Sequence, residues 1–152
     1  MNIIEKLTER WRDIDYPFLV HSSGELRFSE IAEQRAVDMS EVKSGDVVAL
    51  IGDFDPQSIL TLLQLIDKNV ILAPLTVDTR TQHEYFFESA LVDVVIEGDD
   101  VRRLNHSQKH ELIDSLRSKE HAGLVLFSTG TTGRPKAILH DLTLFMQRFD
   151  TP

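Results

Sequence analysis

Nine consecutive residues concentrate the groups that could do chemistry: Ser128-Thr129-Gly130-Thr131-Thr132-Gly133-Arg134-Pro135-Lys136. Gly130 and Gly133 permit positive φ and let a ligand approach the backbone with no Cβ in the way. The hydroxyls of Ser128, Thr129, Thr131 and Thr132 can donate to phosphate oxygens beside the loop amides. Arg134 and Lys136 bring positive charge, and Pro135 restricts the turn between them. Such a composition suits a polyphosphate held by many weak donors and one or two cations. It is not a Walker A loop, which needs glycine before the lysine and Ser or Thr after it. Here Pro135 precedes Lys136 and Ala137 follows, and AIL then reads as a short strand where a P-loop would start a helix.

Other candidate groups have plainer explanations. His106 and His110 stand four residues apart, with Glu111 and His121 near in sequence, but no third ligand stands at a recognised metal spacing. We read the two as a solvated helix face and expect no metal site formed by these residues. Asp55 reads as a helix cap, and Asp53, Glu97, Asp99 and Asp100 as turn residues. Phe86 and Phe87 are expected in the core. His140 either packs beside the loop or caps the next helix.

The elements that must position the loop follow from periodicity. Ile4, Leu7 and Trp11 predict a first helix, FLVH and ELRF around Ser22-Ser23-Gly24 a hairpin, and Ser29 the N-cap of a helix reaching Met39. Ser44-Gly45-Asp46 is a turn before a buried strand, Val47–Ile51. Asp55-Pro56 starts a helix with Ile59, Leu62, Leu63 and Ile66 as its apolar face. VILAPL, Val94–Ile96 and GLVLFS are further strands, separated by helices over about 79–90 and 107–118. Alternating strands and helices predict an α/β fold, a layered and largely parallel sheet with helices on both faces.

Composition narrows the function classes. The 152 residues are 41% hydrophobic and 27% charged, which is too apolar for disorder. A formal net charge of -9 argues against a nucleic-acid partner, which would need a basic face. No cysteine is present, which excludes disulfides and thiolate metal sites. No apolar run is long enough for a membrane span, and the N-terminus reads as an amphipathic helix and not a signal peptide. We expect a soluble, cytoplasmic protein.

The loop resembles the signature of the AMP-forming ligase superfamily, which comprises acyl-CoA synthetases, aryl-acid ligases, peptide-synthetase adenylation domains and luciferase. Those proteins carry a stretch close to TSGTTGKPKG between two strands; here Arg134 replaces the common lysine and Ala137 the usual glycine. ELRFSEIAEQRA is similar to an early helix of the family. SGDVVALIGDFDPQSILTLLQLIDKNVILAPL is similar to its next segment, with Asn69 at the usual glycine. TRTQHEYFFESALVDVVI matches the stretch where a neighbouring substrate subsite begins, and His140 a histidine shortly after the loop.

This resemblance implies that residues 1–152 are the N-terminal part of an adenylate-forming domain. It implies attack of a carboxylic acid on the α-phosphate of ATP bound with magnesium, then transfer to coenzyme A or a carrier protein's phosphopantetheine. Lys136 would be the catalytic residue of this part, with Ser128, Thr129, Gly130, Thr131, Thr132, Gly133 and Arg134 also holding the phosphates. The magnesium glutamate, the ribose aspartate and the family's catalytic lysine would lie later, so the 152 residues alone are expected to be inactive. A non-catalytic nucleotide-binding or interaction module on the same scaffold is the alternative.

Overall fold

Val47–Ile51, five residues of which four are aliphatic and branched and the other is alanine, is buried on both faces in a computed structural model that describes residues 2–129 and 133–150. This strand, β3, lies at the middle of a six-stranded sheet. The smaller elements before it are helix α1 (Ile3–Trp11), a hairpin of β1 (Leu19–His21) and β2 (Gly24–Leu26), and helix α2 (Phe28–Ala32). After β3 come α3 (Pro56–Asp67), β4 (Ile71–Leu75), a 3-10 stretch (Val77–Gln82), α4 (His83–Ala90), β5 (Val94–Glu97) and β6 (Asp100–Arg103). The chain ends its described course with α5 (Glu111–Lys119), β7 (Gly123–Phe127), β8 (Ala137–Asp141) and α6 (Leu142–Gln147).

The strand order is β6-β5-β3-β4-β7-β8. β5, β3, β4 and β7 run parallel, and the two edges, β6 on β5 and β8 on β7, are antiparallel. Parallel strands covered on both faces read as continuous apolar runs, and β3 and β4 do so. One face carries Val47, Ala49, Ile51, Ile71, Ala73 and Val125 against Phe86 and Ala90 of α4 and Ile113 and Leu116 of α5. The other carries Val48, Leu50, Leu72, Val94 and Ile96 against Leu65 of α3, with Val37 and Val42 beside it. Helices therefore flank both faces of a largely parallel sheet, as the alternation of elements predicts.

Several elements differ from expectation for identifiable reasons. The helix expected from Ser29 to Met39 starts at Phe28, where Glu30 accepts the Arg27 amide at 2.7 Å, and ends at Ala32. An extended course beyond it lets Val37 and Val42 reach the core separately, which one helix face would not allow. In α3 the buried residues are Leu60, Thr61, Leu63 and Leu65, a rotation from the expected face. Helices α1 and α2 also pack on α3, and Ile59, Leu62 and Ile66 are half-buried, Leu62 against the sheet core beside Leu65. Helix α5 starts at Glu111 and not near 107, because His110 caps it through the Leu112 amide. Strand β6 has no counterpart in the expected elements. Its sequence DVRR is polar because it is an edge, with only Val101 packed on the core.

Turn chemistry closes the crossovers. Asp55 caps α3 by accepting the Ser58 amide at 3.0 Å, with Pro56 at the first helical position. Asn69 adopts φ 55° as the chain leaves α3, a left-handed conformation that asparagine tolerates better than most residues. It thereby does the work of the glycine that the resemblance places there.

Leu65 is fully buried between α3 and the sheet. We predict that Leu65→Ala destabilises the chain by about 2–5 kcal/mol in urea unfolding, the range for a leucine cavity in a packed core. An unchanged urea midpoint would show that this face of the sheet is not packed as described.

Candidate phosphate-binding hairpin

The carboxyl ends of β3, β4 and β7 lie along one edge of the sheet, the edge where open α/β sheets bind ligands. The glycine-rich stretch leaves β7 at this edge and returns as β8. Phe127 pairs with Ala137 in the last register position of the two strands. Beyond it the Ser128 amide donates to the Lys136 carbonyl at 2.9 Å, and the Lys136 amide donates to Ser128 Oγ at 3.0 Å. These two bonds close a neck at the base of the glycine-rich stretch. Ser128 thus has a structural duty: its oxygen accepts the Lys136 amide.

Helix α4 braces the hairpin from one face. Phe86 is buried, and its ring centroid lies 4.2 Å from that of Phe127. Next along the helix, the Tyr85 hydroxyl donates to the Pro135 carbonyl at 2.7 Å. The Arg134 guanidinium carbon stands 3.7 Å from the centre of the Tyr85 ring, a cation–π stack. Thr129, Gly133, Arg134 and Lys136 are exposed, and Ser128 is half-buried. Of the sequence-derived set, Ser128, Thr129, Gly133, Arg134 and Lys136 are placed on this one hairpin. Gly130, Thr131 and Thr132 lie outside the described residues. Gly133 has φ +83°, the left-handed region that its lack of a side chain permits.

Tyr85 was not among the sequence candidates. Its neighbours Phe86 and Phe87 read as core residues, and nothing in the local pattern of EYFFES indicates a partner fifty residues away.

The remaining carboxyl edge is fixed by polar contacts. Asp53 accepts the Val77 amide at 3.1 Å, tying the exit of β3 to that of β4. Arg80 makes two hydrogen bonds to the Glu97 carboxylate, one of 3.0 Å, across the exits of β4 and β5. This pairing holds the Glu97 carboxyl below the usual carboxylate range. Gly52 passes so close to α3 that a Cβ there would lie 2.3 Å from Ser58 Oγ.

The opposite end of the hairpin is latched as well. His121 Nδ1 and Asp141 Oδ2 are 2.8 Å apart, and the Ala122 amide donates to Thr143 Oγ1 at 2.8 Å. Asp141 also caps α6 through the Leu144 amide at 3.0 Å. The cap is therefore Asp141, and His140 is an exposed residue of β8 opposite Leu124, which removes the capping role considered for it. Nor do His106 and His110 share a helix face. Both precede α5; His106 Nε2 lies 2.8 Å from Asp93 Oδ1, and His110 is the helix cap. Among the described residues no group of three or more His, Asp or Glu is placed to hold a metal ion. No helix of the described residues is long and apolar enough to cross a membrane.

Comparison with solved structures places the fold. The chain is similar to the Klebsiella oxytoca NpsA N-terminal subdomain in complex with anthranilyl-AMSN, at 19% identity and TM-score 0.64. That match covers 99% of this chain and 42% of the other. An artificially fused adenylation-PCP di-domain from the same organism, NpsA-ThdA, matches at 21% identity and TM-score 0.60, over 90% of this chain and 31% of that one. VinN matches at 16% identity and TM-score 0.59, over 92% of this chain and 44% of that one. The chain thus spans less than half the length of the structures it matches. No protein-family model matches it, and no curated protein does. Likeness at these identities establishes the architecture, a mixed six-stranded α/β sheet shared with an adenylation-domain N-terminal subdomain.

The His121–Asp141 latch has a pH signature. Burial raises the Asp141 pKa, but the Leu144 amide and His121 outweigh it, and the net shift is downward. A carboxyl lowered on folding adds stability above its unfolded pKa of about 4 and loses it as pH falls through the folded value. Asn retains the cap but not the charge, so Asp141→Asn should flatten the acid side of the stability–pH curve. Parallel curves for both proteins between about pH 5 and pH 2 would remove Asp141 from acid unfolding.

Proposed function

We propose that this chain is the phosphate-binding part of an ATP-dependent, AMP-forming carboxylate ligase. The observation that carries the proposal is the β7–β8 hairpin at the carboxyl edge of the sheet. It joins the STGTTGRPK sequence to a closed neck and an external aromatic brace on a fold shared with adenylation domains. In the reaction, an oxygen of a carboxylic acid attacks the α-phosphorus of ATP, the bond to the bridging oxygen breaks, and pyrophosphate leaves with that electron pair. The acyl-adenylate then passes its acyl group to a thiol, coenzyme A or a carrier phosphopantetheine, releasing AMP. ATP is taken as its magnesium complex.

The residues of this chain would act on the leaving group. Lys136 is exposed beside the neck and carries a compact ammonium that suits a phosphate oxygen. Thr129 and the Ser128 proton are donors at the same place, and Thr131 and Thr132 supply further hydroxyls. A fixed set of donors stabilises the charge that grows on pyrophosphate, with no reorganisation needed when the bond breaks. NpsA is seen in complex with anthranilyl-AMSN and 3-hydroxybenzoyl-AMSN, and VinN with L-aspartate. Either class of acid is compatible with the described residues, which bear on the phosphates alone.

The test is pyrophosphate exchange into ATP by the whole gene product, against a panel of aryl, aliphatic and amino acids. We expect exchange with at least one acid and none with the 152-residue chain by itself. ATP binding without exchange for any acid would favour the non-catalytic module and sink the ligase. Lys136→Ala should slow exchange about 100-fold, the effect of deleting one preorganised donor to a developing anion, with the thermal midpoint unchanged. Wild-type rates in that variant would take Lys136 out of the mechanism.

A further inference from the structure

We propose that Tyr85 is a positioning residue of the phosphate loop, holding Arg134 flat so that its N–H edges face a phosphate oxyanion. The inference deepens the ligase reading and rests on it for the identity of the anion, but its geometry stands on the described residues. Two adjacent residues of the loop are seized by one side chain. The Tyr85 hydroxyl donates to the Pro135 carbonyl at 2.7 Å, and the ring face takes the Arg134 guanidinium at 3.7 Å.

Proline reinforces both contacts. A residue before proline is driven out of the helical region toward extended backbone, so Arg134 has few backbone conformations to choose among. Pro135 has a fixed φ and no amide proton, which leaves its carbonyl as its sole backbone bonding group. The Tyr85 hydroxyl satisfies that carbonyl. An exposed arginine normally spends considerable rotamer entropy on binding an anion. Arg134 has its plane set beforehand by the ring.

Stacking uses the face of a guanidinium and leaves the five N–H groups in its plane free to donate. Among the described residues, no hydrogen bond or ion pair takes them. Arg134 is exposed, so an incoming ligand can reach those groups. The brace itself does not float. Tyr85 sits on α4 beside Phe86, which is buried against Phe127 at the end of β7. The helix that covers one face of the sheet is therefore also the part that orients a loop cation.

The test uses the whole gene product and reads the KM for pyrophosphate separately from kcat in the exchange reaction. Tyr85→Leu and Arg134→Ala should each raise that KM about tenfold, with kcat changed less than about twofold. Tyr85→Phe keeps the ring and loses only the carbonyl bond, so it should recover most of the loss. If Tyr85 acts through Arg134, the Tyr85→Leu/Arg134→Ala double variant is no worse than Arg134→Ala alone. Losses that multiply in the double variant would overturn the assignment. So would a Tyr85→Leu protein with a lowered melting temperature and an unchanged KM, since that is the mark of a purely structural brace. Absence of exchange by the wild type with every acid would sink the ligase reading. In that event, calorimetric titration of the same variants with inorganic pyrophosphate decides the Tyr85 assignment by the same pattern. A wild type that binds no pyrophosphate contradicts it.

Discussion

Burial of β3 and β4 on both faces is the constraint from which the rest of the molecule follows. Both strands are covered above and below, and they run parallel because α3 carries the chain across one face of the sheet between them. Parallel strands put their carboxyl ends along one edge, which brings the exits of β3, β4, β5 and β7 together. The glycine-rich loop inherits its position from that geometry. It starts where β7 ends, and Gly123 lets β7 begin close to Leu116 and Ile71, where a Cβ would come within 2.8 Å of Leu116 Cδ1. The same burial fixes α4 on the face from which Tyr85 reaches the loop.

Charge is distributed unevenly with respect to this edge. The chain carries a net charge of -9, yet the loop contributes Arg134 and Lys136 and no carboxylate. Elsewhere, several arginines stand beside carboxylates: Arg80 by Glu97, Arg103 by Asp46 and Arg117 by Asp93. The more exposed of these, Arg80–Glu97, adds little stability by itself. The effect of these pairs is to fix where loops leave the sheet. At the hairpin, Arg134 and Lys136 are exposed and give this acidic chain a local pair of positive charges.

Much of the scaffold was legible in the sequence because it rests on short-range rules. Val47–Ile51, the Asp55-Pro56 helix start and the strand before the loop are each set by neighbouring residues. What was not legible depends on partners far along the chain. Helix α3 buries Leu60, Thr61 and Leu65 besides the expected Leu63, since α1 and α2 also pack on it, which periodicity within α3 cannot reveal. Strand β6 is polar since it is an edge, so no apolar run announced it. His106 and His110 suggested a shared helix face until His110 proved to be the cap that starts the helix. The loop residues were recognisable by type, but Tyr85, fifty residues earlier, was not. Its role comes from the α4–β7 packing, and a sequence pattern carries no signal for it.

In the proposed reaction a carboxylate attacks the α-phosphorus of ATP while this hairpin holds the departing phosphates. The most direct measurement is isotopic. An acid labelled with oxygen-18 in its carboxylate is turned over by the whole gene product with ATP and a thiol, and the nucleotide products are weighed. We expect AMP to form and to carry one labelled oxygen from the acid. Formation of ADP, with the label in inorganic phosphate, would place the attack on the γ-phosphorus and contradict it.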